Sequence, residues 1–467
     1  MGASVGLAFL LLVTALATVP LGRRLTGDYF SPAALVVTTW AATLGLFFLH
    51  VIPYADIRPA TMLFVLAATA TLVAMAQVGR RLFVNRKGPA VAPAAAEACV
   101  AAMAMLGLVG TAWYVWTVAD VLGASAFFDR PWRIRFALGD RSVPSRYLIL
   151  QFLCVATPIL AVALALTGHR LRRGVWLLVF ACLAGTAIST DRTEFFVVAL
   201  TVYFMYILQA GRRLSLAALT VRSAAVLVTL AAYFLLIGAW MGKTPGNLNV
   251  DVQVPTLSVT ASPRRSQEAK SGGAAETVPR WRSELQQRLR GVSTLYLYAT
   301  ASYAALDVLL ENPQPRTNGL HTAYPVARFL ERTGVITGLP AAIAPFVPLG
   351  LTSGSDVSYN TYTFLYYPVT DFGPFGGVAY AAGIGLLSGL VYGRYRLDRR
   401  STFWLLTMGH LSAALVLTVF VNKFNNTASW YIYLWTCVPF ILSRLFPQWA
   451  ADPAPSGRVL DGEASVP

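Results

Sequence analysis

Runs of almost unbroken apolar residues, long enough to cross a hydrocarbon layer of ~30 Å, recur along this chain with short basic stretches between them. No other feature constrains the fold as strongly. A backbone in hydrocarbon finds no water for its N–H and C=O groups, so it must bond to itself, as a helix does. The runs occupy 5–19, 33–51, 61–78, 95–118, 147–166, 175–188, 195–208 and 224–240, then 375–392, 403–421 and 430–445. With 56% apolar and only 12% charged residues, and a mean hydropathy of +0.58, an ordinary soluble domain is excluded. The expected fold is therefore all-α and polytopic, with about eleven transmembrane helices.

Basic residues assign the sides. Short loops rich in Lys and Arg stay in the cytoplasm. Arg23/Arg24, Arg80/Arg81/Arg86/Lys87, Arg170/Arg172/Arg173, Arg212/Arg213/Arg222 and Arg394/Arg396/Arg399/Arg400 all fall on alternate connections. Eleven crossings then put the N-terminus outside and the C-terminus inside. The first run has no basic residue ahead of it and two behind, the reverse of a signal peptide, so it is expected to be retained. The resulting organisation is a membrane domain over 1–241 with about eight spans, a large external segment over 242–374, and a membrane domain over 375–446 with three spans. A disordered cytoplasmic tail follows over 447–467. Within the external segment, 243–279 is rich in Pro, Gly, Ser, Thr and charge and is expected to lack fixed structure.

Charge inside apolar sequence points to function. In GTAISTDRTEFFVVAL, over 185–200, Asp191, Arg192 and Glu194 interrupt a run that otherwise extends in both directions. The simplest reading is a tight external turn whose tip meets water. The alternative is that Asp191 and Glu194, three apart on one helix face, hold Arg192 while its planar fork stays open to an anion. The connection over 119–147 carries Arg133 and Arg135 among aromatic residues on the side where the charge rule disfavours arginine. That pattern suits either phosphate recognition or a helix lying on lipid headgroups. A net charge of +16 could also indicate nucleic acid, but nearly half the basic residues already serve as cytoplasmic anchors. Cys99, Cys154, Cys182 and Cys437 all lie in expected spans, and the four histidines are widely separated, so no metal site is expected.

The external segment is not uniform. Trp281, Leu285, Leu289 and Val292 repeat at helical spacing, which predicts an amphipathic surface helix. The stretch 293–310 is apolar enough to embed in part, and 320–332 reads as a short helix carrying His321, Tyr324, Arg328 and Arg332. The stretch 338–350 is apolar but too short and Pro-rich to cross, so a re-entrant or packed loop is expected. The block closes on SYNTYTFLYYPVTDFGPFGG, over 358–377, where Asn360, Tyr362 and Asp371 sit among aromatic rings. Such rings form membrane-interface belts. With amide and carboxylate partners between them they also suit a carbohydrate.

STDRTEFF on an outer hairpin, LYATASYAALD and NGLHTAYPVARFLER in a long external loop, and NTYTFLYYPVTDFGPFGG before the last spans together resemble the oligosaccharide repeat unit polymerases, the O-antigen polymerases of the Wzy type. The resemblance implies a membrane-embedded glycosyltransferase of GT-C-like architecture at the outer face of a bacterial cytoplasmic (inner) membrane. Both its donor and its acceptor would be polyprenyl-diphosphate-linked oligosaccharides. It implies neither cofactor nor nucleic acid, and it leaves room for flippase and chain-length-regulating partners. A lipid-linked glycan ligase, a GT-C transferase using polyprenyl-phosphate sugars, and a flippase or transporter are the alternatives. Such chemistry needs fixed cations for the departing diphosphate and a base for the acceptor hydroxyl. Arg192, with Arg133, Arg135 and Arg328 behind it, is the expected diphosphate contact. Asp371 and Glu194 lead as the base, then Asp191, with His321, Tyr324, Asn360 and Tyr362 as substrate contacts.

Overall fold

The computed structural model describes residues 2–51, 54–82, 88–128, 133–134, 148–188, 192–210, 214–240, 293–332, 335–337, 347–350, 356–359 and 362–449. Asp191, Arg135 and Asn360 lie outside the described residues, as do 243–279, the expected amphipathic helix from Trp281 and the tail from 450 onward; Arg192 is described by its backbone alone. Each of the apolar runs is a helix. In chain order they are α1 (Gly2–Thr26), α2 (Pro32–Phe48), α3 (Pro59–Arg81), α4 (Pro93–Leu122), α5 (Leu148–Leu166), α6 (Arg173–Ile188), α7 (Arg192–Ala210) and α8 (Leu216–Trp240). The segment 242–374 contributes α9 (Ser293–Glu311), α10 (Tyr324–Arg332) and strands β1 (Val347–Gly350) and β2 (Asp356–Tyr359). Then come α11 (Tyr366–Leu397), α12 (Thr402–Leu417) and α13 (Thr427–Leu445). Among the described residues, 6 helices are long and apolar enough to cross a membrane: α1, α3, α4, α5, α8 and α11.

Local signals set the ends. Pro32, Pro59 and Pro93 open α2, α3 and α4, where the missing N–H would have had no partner. Ser31, Ser401 and Asn426 cap α2, α12 and α13 by accepting backbone N–H bonds. Arginines close α1, α3 and α11, where they complement the negative end of the helix dipole.

Burial grades outward from α5. From Gln151 to Ala161 every residue of α5 is buried, as expected of a helix that is apolar all round and sits at a centre. It packs on α4, α6, α7 and α13. At the periphery, α1 and α8 expose broad apolar faces, including Phe9, Leu16, Val221 and Leu236. Faces that large on a bundle's outside suit lipid rather than water.

The tightest contact is between α3 and α11. A side chain at Gly385 or Gly389 would run into the backbone oxygens of Leu72 or Ala76, and one at Gly79 into that of Leu386. Small residues spaced four apart therefore let two backbones touch, as in membrane helix pairs.

Polar contacts gather at the two ends. At one end Asp28 accepts from Arg399 (2.8 Å) and Tyr392 (2.7 Å), Asp398 accepts from the Gly88 N–H, Glu97 meets Arg172, and Gln209 donates to the Arg399 carbonyl. At the other, Arg58 meets Asp307, Tyr296 meets Leu46, and the Phe364 N–H donates to the Thr418 carbonyl. We call these the basic end and the distal end.

Three features of the segment 242–374 and its end add to expectation. Helix α9, expected to embed in part, packs into the bundle: Ala301, Tyr303, Ala305 and Leu306 are buried, and Tyr303 reaches Thr43 of α2 at 2.7 Å. Helix α11 starts at Tyr366, ahead of the apolar run from 375, and continues across a break at Gly373, where φ is 76°. The stretch expected as a packed loop ends in an antiparallel hairpin in which Val347 pairs with Tyr359 and Gly350 with Asp356.

The α3–α11 seam yields a stability test. Gly389→Ala should destabilise by about 1–3 kcal/mol through overpacking, whereas Gly383→Ala, which faces open space, should be neutral or slightly stabilising. Thermal unfolding of the two purified variants measures the difference.

Candidate functional site

Asp371 is fully buried in the first turns of α11. A carboxylate can be buried only if its oxygens are occupied. One accepts from the Thr317 hydroxyl and the His321 N–H (3.2 Å), the other from the Thr322 N–H (2.6 Å). Asp371 thus pins the turn that precedes α10. The turn is tight because Asn318 and Gly319 both take left-handed backbone, with φ of 50° and 92°. Its glycine is required twice over, since a Cβ at Gly319 would also lie 2.9 Å from the Phe372 ring. This also explains why α10 starts at Tyr324 and not near 320: the residues ahead of it serve the carboxylate.

A second tie comes from the turn between α12 and α13. The Asn425 amide donates to the His321 carbonyl at 2.5 Å, so both sides of the His321 backbone are held. Asn422 donates to the Phe364 carbonyl (3.2 Å), and Lys423 lies buried between the two asparagines. Around this frame the aromatic side chains pack closely. The His321 ring lies 5.7 Å from Tyr367, and Tyr362 stacks on Tyr366 at 3.8 Å. Burial, reinforced by the charge that Tyr366 and Tyr367 would carry, pushes the Tyr362 phenol well above the usual tyrosine range, so it stays a neutral donor. On α10, Arg328 donates to the Tyr324 hydroxyl (2.6 Å) and pairs with Glu331. Burial opposes its charge, but Glu331 and Tyr324 outweigh that and raise its pKa.

The structure therefore brings Asp371, His321, Tyr324, Arg328 and Tyr362 to the distal end, around the head of α11. Glu194 is buried in the first turn of α7. Helix α7 packs on α12, and Val197 and Leu200 share a cluster with Leu417, against which Phe420 and Val421 also pack. The chain runs on from there into Asn422 and Lys423, so the head of α7 and the Asp371 frame are joined through one turn. Arg133 is at another corner, exposed, beside the cluster of Tyr114, Val118, Ala126 and Ile134.

Sequence reasoning missed several members. Asn422, Lys423 and Asn425 had a readable signal in NKFNN, dense polarity between two apolar runs at one membrane edge. Arg58 and Asp307 had a weaker one. Asp307 accepts from Arg58 Nε (3.0 Å) and the Thr61 hydroxyl (2.5 Å), holding the start of α3 to α9. Among the described residues, no group of three or more His, Cys, Asp or Glu is placed to hold a metal ion.

Chemically, this is a rigid polar shelf on an apolar bundle, with one carboxylate spent on structure and with cations and hydroxyls around it. No family model matches the chain, and neither a curated protein nor a solved structure matches it.

Removing the pin should loosen the shelf. In Asp371→Ala the stranded donors should each cost on the order of 1–3 kcal/mol, and hydrogen exchange at the His321 and Thr322 amides should accelerate selectively over exchange in α5.

Proposed function

We propose that the chain is a membrane glycosyltransferase that polymerises polyprenyl-diphosphate-linked oligosaccharide repeat units at the outer face of a bacterial cytoplasmic membrane. In this reading it crosses eleven times in a GT-C-like arrangement, with the N-terminus outside, the distal end facing outward and the basic end facing the cytoplasm. The observation that carries the proposal is the shelf itself. Asp371 and Asn425 tie the external turn at His321 to two helix ends, beside arginine and lysine side chains at one edge of an apolar bundle. A substrate with a polyprenyl tail, a diphosphate and a glycan needs lipid, cations and hydrogen-bonding rings within one reach, and those three surroundings meet there.

Roles follow from the contacts. A departing diphosphate gains negative charge, and fixed donors in a water-poor site stabilise it. Arg192, at the head of α7, and Lys423 are assigned to it, with Arg328 behind them and Arg133 and Arg135 guiding the lipid diphosphate in. Tyr324 and Tyr362 offer neutral hydroxyls and ring faces to the sugars. Asp371 already accepts three hydrogen bonds, two of them from the turn at His321, which makes it the group that positions His321. Proton removal from the acceptor hydroxyl then falls to Glu194 or Asp191 on the α7 side, or to the His321 imidazole.

The assay supplies a single lipid-diphosphate-linked repeat unit to the protein in membranes and resolves the products by size. A ladder of lengths is expected. Arg192→Ala and Lys423→Met should each slow extension by about 10²–10³ while the protein stays folded and membrane-bound. A single addition would indicate a ligase, and translocation of substrate without lengthening a transporter. An unchanged ladder from Arg192→Ala would remove the hairpin from the mechanism.

A further inference from the structure

The basic end carries a second binding site. Gly79, Gly385 and Gly389 let α3 and α11 touch along their seam. One helical turn further on, at Gly393, the seam opens into a cavity of about 450 Å³ lined by Arg80, Arg81, Arg396, Gly393 and Leu397. The two helices end side by side, so the close crossing forces their terminal arginines around one hollow.

The charge there is unbalanced. None of the five lining residues is acidic. The carboxylates described nearby are engaged elsewhere: Asp28 by Arg399 and Tyr392, Asp398 by the Gly88 N–H, and Glu97 by Arg172. Three guanidinium groups within a Debye length of one another favour an anion between them, and their planar forks match phosphate oxygens. Helix-end dipoles account for an arginine on each helix, but not for three lining one open hollow.

The surroundings select the source of the phosphate. Leu82, just beyond α3, and Leu397, which lines the hollow on α11, are large apolar side chains left 61% and 49% exposed. A free phosphate or nucleotide has no use for them, whereas acyl chains would lie along them. Basic pockets between helices at the cytoplasmic side of membrane proteins take anionic headgroups for this reason. We propose that the hollow between the ends of α3 and α11 binds the phosphodiester headgroup of an anionic phospholipid, with its acyl chains along the apolar edge of the same seam. This site is independent of the glycan chemistry proposed for the distal end.

The test titrates the full-length protein in detergent with phosphatidylglycerol or phosphatidylcholine, read by native mass spectrometry and by the thermal unfolding midpoint. Phosphatidylglycerol should be retained in preference to phosphatidylcholine and should raise the midpoint. R80Q/R81Q/R396Q should weaken that binding by about tenfold or more, whereas R24Q/R170Q/R173Q, which removes the same charge from the same end, should leave it within about twofold. R396Q alone, at an exposed helix end, keeps the test decisive if the triple variant misfolds, and should weaken binding by about threefold or more. Equal losses in the two triple variants, or unchanged binding in R396Q, would overturn the proposal. So would soluble glycerol phosphate giving the whole midpoint shift without lipid, which would mean a free-anion site.

Discussion

The contact between α3 and α11 is the constraint on which both ends of the molecule depend. Where Gly79, Gly385 and Gly389 remove the side chains, the two backbones meet directly, and dispersion between close-packed main chains replaces the hydrophobic driving force that lipid does not supply. The position of α11 is then set along its length. Its head carries Asp371 and the aromatic rings of the distal shelf, and its tail carries Arg396 to the arginine-lined hollow. A methyl group added in the seam would strain both places at once.

The distal shelf shows how a polar assembly survives at the edge of an apolar bundle. Asp371 is saturated by donors from the turn before α10, and Asp307 is held through one oxygen by the start of α3. Asparagine does the same for carbonyl groups at His321 and Phe364. Rigidity follows from this saturation, because moving any partner would strand a buried polar group. A shelf that is already organised spares whatever it binds the cost of ordering it.

Much of the helical framework was legible because hydropathy reports it directly. Every apolar run is a helix, and Pro and Ser mark several of the starts where the cap rules put them. The burial of α9 was harder to read, since its tyrosines suit an interface as well as a core; what buries Tyr303 is Thr43 and Trp40 of α2, far away in sequence. The head of α11 was hidden by Gly373 and Pro374, which look like the boundary of a span but mark a break inside one helix. Of the site, Asp371 was picked out by its place among rings, but the donors that hold it were not. A lone carboxylate in a sequence reads the same whether it will take a proton or hold a turn, and only the donors around it decide. Asn425 was passed over because it belongs to a short connection, and its meaning comes from the His321 carbonyl, about a hundred residues upstream.

The break at Gly373 has a mechanical consequence. Left-handed backbone at that residue interrupts the hydrogen-bonded ladder, and the aspartate-bearing segment is steered instead by side-chain neighbours: the Phe372 ring against Gly319, and Arg316 about 3.5 Å from where a Cβ on Gly373 would be. Below it, the rest of α11 is clamped to α3. A break above a clamp lets the Asp371 segment take its direction from the turn at His321 while the body of the helix takes its own from α3, toward an end roughly 35 Å away at 1.5 Å per residue. The two ends of the molecule are thus built on one helix yet aimed by different neighbours.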